Sequence, residues 1–121
     1  MLTKDVLIGA RDIYGIRPLV IGTINNSYVL ASETCALDII GAEFVREVEN
    51  GEIVYIEDNE LNSLKPFGNH KPRPCVFEYI YFARPDSILK GKTAYEYRKN
   101  LGRELAKEDE VDAELVVPVP D

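Results

Sequence analysis

The chain has 121 residues, two of them cysteine, with 45% apolar residues and a net charge of −7. That length supports one modest core, and the acidic balance leaves no basic face for a run of phosphates, which excludes nucleic acid as a partner. No apolar run reaches the roughly 18 residues of a membrane span and no signal pattern opens the chain, so a cytoplasmic protein with no membrane partner is expected.

Val6–Ala10 is a short apolar run that reads as a buried strand. Asp12–Gly15 supplies a turn in which Gly15 is free to take a positive φ. Arg17–Gly22 returns as a second strand, with Pro18 tolerated near its start, and Asn25-Asn26-Ser27 turns into a third, Tyr28–Ser32. Short turns between three strands predict an antiparallel meander. Ser32-Glu33-Thr34 caps a brief helix through Ile40, closed by Gly41. Phe44, Arg46 and Val48 alternate with Val45, Glu47 and Glu49, as on a strand with one wet face. Asn50-Gly51 is a hairpin signal that predicts a return through Ile53–Ile56. Asp58-Asn59 turns again into a short strand, Leu61–Leu64.

Phe67–Pro74, with its glycine and two prolines, reads as a linker. The stretch Cys75–Ser87, CVFEYIYFARPDS, then reads as the central strand. Val76, Glu78, Ile80 and Phe82 fall on one side, and Phe77, Tyr79, Tyr81 and Ala83 on the other. Both sides are apolar enough to predict cover on both faces. Thr93-x-x-Glu96 is a capping box, and Ala94, Tyr97, Leu101 and Leu105 follow at helical spacing. Gly102 within that helix costs about 1 kcal/mol against alanine, a cost that close packing is expected to offset. Glu114–Val119 is a β-branched run that reads as a strand. Helix then strand opens a parallel α/β unit, and one helix with one strand cannot bury its own sheet, so the unit is expected to be incomplete.

The chemistry-bearing side chains are sparse. His70, the single histidine, stands in the linker with no Ser-His-Asp or Cys-His set around it and reads as solvated. Cys35 opens a short helix and reads as a small buried apolar side chain. Two cysteines make no disulfide framework in a reducing compartment, and Cys75, without a CxxC partner, is not a metal site by itself. Arg84 with Asp86, and Asp12 with Arg17, read as structural ion pairs. Tyr79 and Tyr81 read as core residues. Glu108-Asp109-Glu110 reads as a solvated helix end, although carboxylates there oppose the helix dipole.

Taken together, ARDIYGIRPLVIG, YVLASETCALDIIGAEFVREVENGEIV and KPRPCVFEYIYFARPDS resemble successive blocks of the glutamine phosphoribosylpyrophosphate amidotransferase (amidophosphoribosyltransferase) family, and the closing helix with ELVVPVPD fits the same pattern. The first block is shared with other class II glutaminases, including the asparagine synthetase branch; FEYIYFARPDS points to the amidotransferase. Ile13 departs from the family, which usually has proline there, and is expected to loosen the first turn.

The resemblance implies an α+β chain: the antiparallel, strand-rich part of an N-terminal-nucleophile glutaminase sandwich, then the first helix and strand of an α/β phosphoribosyltransferase domain. Residues 1–67 would be the C-terminal part of the glutaminase domain, 68–74 a linker, and 75–121 the inter-domain strand and incomplete start of the transferase domain. Val116–Val119 would be an early strand of its sheet, and Asp121 would open the pyrophosphate-contacting loop. The implied reaction releases ammonia from glutamine at an N-terminal cysteine and passes it through an internal channel to phosphoribosylpyrophosphate, with Mg²⁺ present, the first step of de novo purine biosynthesis. Met1-Leu2 is not that cysteine terminus, so no catalytic or substrate-binding residue is assigned here, and the 121 residues alone are expected to be inactive. In one branch of the family, a cysteine at the place of Cys75 is one of four ligands of an iron–sulfur cluster, which makes Cys75 the single candidate metal ligand. Glutamine and phosphoribosylpyrophosphate are the implied small-molecule partners, in a homo-oligomer. The competing expectation is a non-catalytic remnant that pairs through open sheet edges.

Overall fold

The computed structural model describes residues 1–108 and 111–119. Six strands and a short helix come first: β1 (Val6–Ala10), β2 (Val20–Ile24), β3 (Ser27–Ala31), α1 (Thr34–Ile40), β4 (Glu43–Glu47), β5 (Ile53–Glu57) and β6 (Glu60–Leu64). After the linker come a π-helical turn (Glu78–Phe82), the two-residue strands β7 (Ile88–Leu89) and β8 (Lys92–Thr93), and α2 (Ala94–Glu108). No helix among the described residues is long and apolar enough to cross a membrane.

Local turn chemistry sets the hairpins. Asn25 and Asn26 have φ of 49° and 61°, and Asp58 and Asn59 have 50° and 61°. Both residues of a type I′ turn need positive φ, which Asn and Asp tolerate, so β2 pairs with β3 and β5 with β6 across two-residue loops. Lys90 and Gly91, at 48° and 81°, make a third such turn between β7 and β8.

The expected meander does not form. β1 pairs with β5, far along the chain, in the order β1-β5-β6, while β3-β2-β4 form a second antiparallel sheet. The Asn50-Gly51 turn therefore carries the chain from one sheet to the other instead of closing a hairpin. Only Gly51 there has a positive φ, 71°, and its N–H donates to the Asp12 carbonyl at 2.9 Å. The same carbonyl accepts from Gly15 N–H at 3.0 Å. The two turns interlock further: Asn50 Nδ2 donates to the Tyr14 carbonyl at 3.3 Å, and a Cβ on Gly15 would overlap the Asn50 side chain.

The sheets pack face to face over Ile21, Val48 and Val54, with Leu19, Tyr28, Leu30 and Leu61 around them. On the outer face of the second sheet, Leu37 of α1 and Ala42, just past its end, cover Val20. β2 is thus buried on both sides, the position expected of the central strand. α1 ends as the sequence predicts, with Gly41 in the left-handed region donating to Asp38 and Leu37 carbonyls, but Glu33 makes no side-chain cap. The expected alternation in β4 is broken by a bulge: the register passes from Ile21↔Arg46 to Gly22↔Phe44. Val45 is the extra residue, and Phe44 and Val45 are both exposed.

Cys75–Ser87 is not a strand. Ala83 N–H donates to the Glu78 carbonyl at 3.2 Å, five residues back, and Val76, Phe77, Ile80, Tyr81 and Phe82 are all about half exposed or more. A continuous apolar run without alternation fits a helical turn as well as a strand. Contacts with α2 decide here, because Tyr79 stacks edge-on against Tyr97 at 4.7 Å. Ala83, Leu89 and Ala94 form a small core of their own with those two tyrosines. The capping box is present: Thr93 N–H to Glu96 Oε2 and Glu96 N–H to Thr93 Oγ1, both 3.2 Å. Arg98 adds bonds to the carbonyls of Tyr79 (3.0 Å) and Ala83 (2.7 Å). Beyond that turn, Leu101 and Leu105 are exposed, and a Cβ on Gly102 would meet nothing within 4 Å, so no packing offsets that glycine. Residues 111–119 form no strand and are exposed, which corrects the expectation for Val116–Val119. Asp109, Glu110 and Asp121 lie outside the described residues.

Candidate functional site

The seam between the two-sheet sandwich and the C-terminal unit gathers most of the side chains that sequence reading singled out. One side is the first turn. Asp12 accepts from the N–H groups of Tyr14 (2.9 Å) and Ile16 (2.8 Å), which pins the turn that Ile13 was expected to loosen. Asp12 is therefore occupied by backbone, and the expected Asp12–Arg17 pair is absent. Arg17 instead pairs with Glu78, with its guanidinium 4.5 Å over the Phe82 ring. The linker docks on the same turn: Arg73 N–H donates to Tyr14 O and Cys75 N–H to Ile16 O, both 2.9 Å. Arg73 sits 5.1 Å over the Tyr14 ring, and His70 meets that ring edge-on at 6.0 Å. His70 is otherwise exposed, its Nε2 3.0 Å from the Phe67 carbonyl, as the solvated reading expects.

Behind the docked linker lies a cavity of about 30 Å³ lined by Arg11, Ile16, Cys75, Glu78 and Tyr79, among others. Glu78 is 4% exposed. Burial lifts its pKa above the usual carboxylate range; the Arg17 charge opposes the rise, and Glu33 adds to it. Burial likewise raises the Tyr79 phenol. Arg11 closes the upper wall, donating to Val48 O at 2.6 Å, to Glu47 at 3.2 Å and to Arg17 O at 3.0 Å.

The second contact region joins α1 to the Arg84–Ile88 loop. Ser87, fully buried, donates to Glu33 Oε2 at 2.7 Å and lies 3.0 Å from Cys35 Sγ. Arg84 N–H donates to the same Glu33 oxygen at 2.8 Å, and Ile88 N–H donates to Thr34 Oγ1 at 2.8 Å. Burial pulls the Glu33 carboxyl upward, but the Ser87 and Arg84 donors hold it below its ordinary value. Cys35, buried as expected, has its thiol pKa pushed up by burial, which makes it a poor nucleophile. Arg84 and Asp86 form the expected pair, bidentate at 3.0 and 3.1 Å and open to solvent.

The site is therefore a joint rather than a catalytic constellation. Tyr79 is part of it, but Tyr81, read as core, is 74% exposed. Sequence reading missed the roles of Glu33, Glu78 and Ser87, because their partners lie more than 50 residues away and leave no local pattern. The acidic residue in the otherwise apolar run at 78 was the one signal that could have found them. Cys75 is half-buried and unpaired, and among the described residues no group of three or more His, Cys, Asp or Glu converges to hold a metal. One thiolate does not hold an iron–sulfur cluster, so the residues present do not fit that cofactor unaided.

No protein-family model matches the chain. The amidophosphoribosyltransferase of Rhizobium etli is 52% identical over 99% of the chain, and that of Synechocystis is 53% identical over 98%. A solved glutamine phosphoribosylpyrophosphate amidotransferase from B. subtilis, complexed with ADP and GMP, superposes with a TM-score of 0.87 over 92% of the chain, at 46% identity. Nearly the whole chain is thus similar to one segment of amidophosphoribosyltransferases. It spans about a quarter of the curated relatives' length, 25% in both cases, and 24% of the solved chain. These amidophosphoribosyltransferase matches bear out the resemblance read from the sequence and favour it over the asparagine synthetase branch. They also agree with the α+β class.

Proposed function

We propose that these 121 residues serve within an enzyme that transfers glutamine-derived ammonia to phosphoribosylpyrophosphate, giving 5-phosphoribosylamine at the first step of de novo purine biosynthesis in the cytoplasm. The observation that carries this reading is the 46% identity and 0.87 TM-score against a solved amidotransferase over nearly the whole chain. In this reading residues 1–67 close the glutaminase domain, 68–74 link, and 75–121 begin the transferase domain. The separate core around Ala83, Leu89 and Ala94 supports a division near Cys75. The exposed apolar residues of the π turn and α2 suit a segment that packs against further protein. Ammonia and phosphoribosylpyrophosphate chemistry belong to groups outside these residues; the role of this segment is to fix the joint between the two halves.

Mg²⁺ and, in a cluster-bearing branch, a [4Fe–4S] centre are proposed for the full enzyme. Cys75 would supply one thiolate, the other three coming from outside this segment. The test is made on a full-length amidotransferase carrying this segment. It should release pyrophosphate from phosphoribosylpyrophosphate in a glutamine-dependent way, whereas the isolated 121-residue chain should hydrolyse no glutamine. A full-length enzyme without glutamine-dependent pyrophosphate release overturns the function, and turnover by the isolated chain overturns the partition. Iron and sulfide in the same anaerobic preparation, lost in Cys75→Ser, support the ligand role. Iron-free material, or a Cys75→Ser variant with its iron intact, removes it.

A further inference from the structure

Among the described residues, three sets of contacts hold the C-terminal unit to the sandwich, and they differ in kind. The docked linker uses backbone bonds, and the Arg17–Glu78 pair joins a half-exposed guanidinium to a buried carboxylate. The third set converges on a single oxygen. Glu33 Oε2 accepts from Arg84 N–H and from the Ser87 hydroxyl, and lies 3.6 Å from Cys35 Sγ. Ser87 in turn covers the Cys35 sulfur at 3.0 Å. Among the described residues the Ser87 hydroxyl meets no acceptor other than these two atoms. Removing the carboxylate therefore leaves a loop N–H without its partner and the buried O–H with only the Cys35 sulfur, a weak acceptor. Such losses cost more than the bonds themselves contribute.

We infer that the Glu33 carboxylate is a latch: it holds the Arg84–Ile88 loop against α1, and release of that loop uncovers the Cys35 thiol without unfolding the two sheets. The sheets owe their stability to the core around Ile21, Val48 and Val54, which shares no residue with the latch. Sub-global opening of this sort is expected where a segment is held by few buried apolar contacts. The other charged groups near Glu33 are Arg84, Asp86 and Glu78. Of these, Arg84 is tied to Asp86, so no free cation among the described residues stands ready to replace the bonds that Glu33 makes. The latch depends on these contacts alone and holds whether or not the proposed reaction is correct.

The test uses the 121-residue chain with Cys75→Ser, which leaves Cys35 as its single thiol. Labelling by a small thiol reagent is followed in native buffer, with unfolding followed separately by circular dichroism in denaturant. Glu33→Ala should speed Cys35 labelling at least tenfold, and Ser87→Ala by a smaller factor. Val54→Ala, which hollows the inter-sheet core, provides the comparison: at equal or greater loss of global stability it should label more slowly than Glu33→Ala. Amide exchange at Arg84 and Ile88 should quicken in step with labelling. Labelling of Glu33→Ala within twofold of the parent overturns the latch. So does a Val54→Ala rate equal to that of Glu33→Ala, because labelling would then report global unfolding. Should Glu33→Ala fail to fold, Ser87→Ala against Val54→Ala decides by the same comparison of rates.

Discussion

At the residue scale the most heavily bonded side chain lies away from the seam. Glu52, 1% exposed, takes a bidentate contact from Arg46 at 2.8 and 2.9 Å. It also accepts from Ser63 Oγ at 2.5 Å and Glu49 N–H at 2.6 Å. The Arg46 hydrogen bonds, against the opposing effect of burial, lower its pKa to about 2. A carboxylate with a depressed folded-state pKa stabilises fully above its ordinary value, and that stabilisation disappears as pH falls toward the folded pKa. Here the window runs from about 5 down to about 2. Glu52→Gln should lose on the order of 3 kcal/mol near neutral pH, with the gap to the parent closing through that window. Denaturant unfolding measured from about pH 7 to about pH 3 checks it, and a gap that stays constant would assign the acid sensitivity to other groups. None of this was visible in the sequence, where Glu52 simply follows the Asn50-Gly51 turn. Its partners at 46 and 63 come from different strands, and only the fold brings them together.

At the element scale, turns and the hairpins they close were legible, and long-range pairings were not. Asn25-Asn26 and Asp58-Asn59 announce their hairpins because the backbone needs φ values that those residues tolerate, a purely local demand. The partner of β1 is set instead by burial between sheets, and nothing near residue 10 specifies residue 53. The strand reading of Cys75–Ser87 failed for a related reason. An unbroken apolar run fits either geometry, and contacts from Tyr97 and Arg98 select the helical one. Packing of α1 on β2 offers an element-level test. A Cβ on Gly22 would lie 2.7 and 2.9 Å from the two Leu37 methyls and 3.0 Å from the Glu43 carbonyl. Gly22→Ala should therefore cost about 1–3 kcal/mol through overpacking against helix and bulge. A loss below the scatter of chemical denaturation would show that α1 shifts to accommodate the methyl.

At the scale of the whole molecule, the two units differ in how well they bury apolar surface. The sandwich encloses its core between sheets and under α1, whereas the C-terminal unit leaves Val76, Ile80 and Leu101 around an open apolar groove. The isolated chain should accordingly bind a fluorescent dye that reports apolar surface. Ile80→Lys combined with Leu101→Lys should abolish most of that signal while the far-ultraviolet circular dichroism stays unchanged. Dye binding that survives the double substitution would locate the exposed surface in the sandwich. The sequence reads as a linker ahead of Cys75, and in the structure that linker docks on the first turn of the sandwich. The side-chain bonds across the joint run from 17 to 78 and from 33 to 87, separations at which no sequence pattern operates.

The interlock of the first turn with the crossover at Asn50 carries a consequence for descent. Position 15 has no room for a side chain while asparagine stands at 50, and its left-handed backbone disfavours one in any case. Drift at these two sites is therefore expected to be paired, with a bulkier residue at 15 surviving only in lineages that have shortened residue 50.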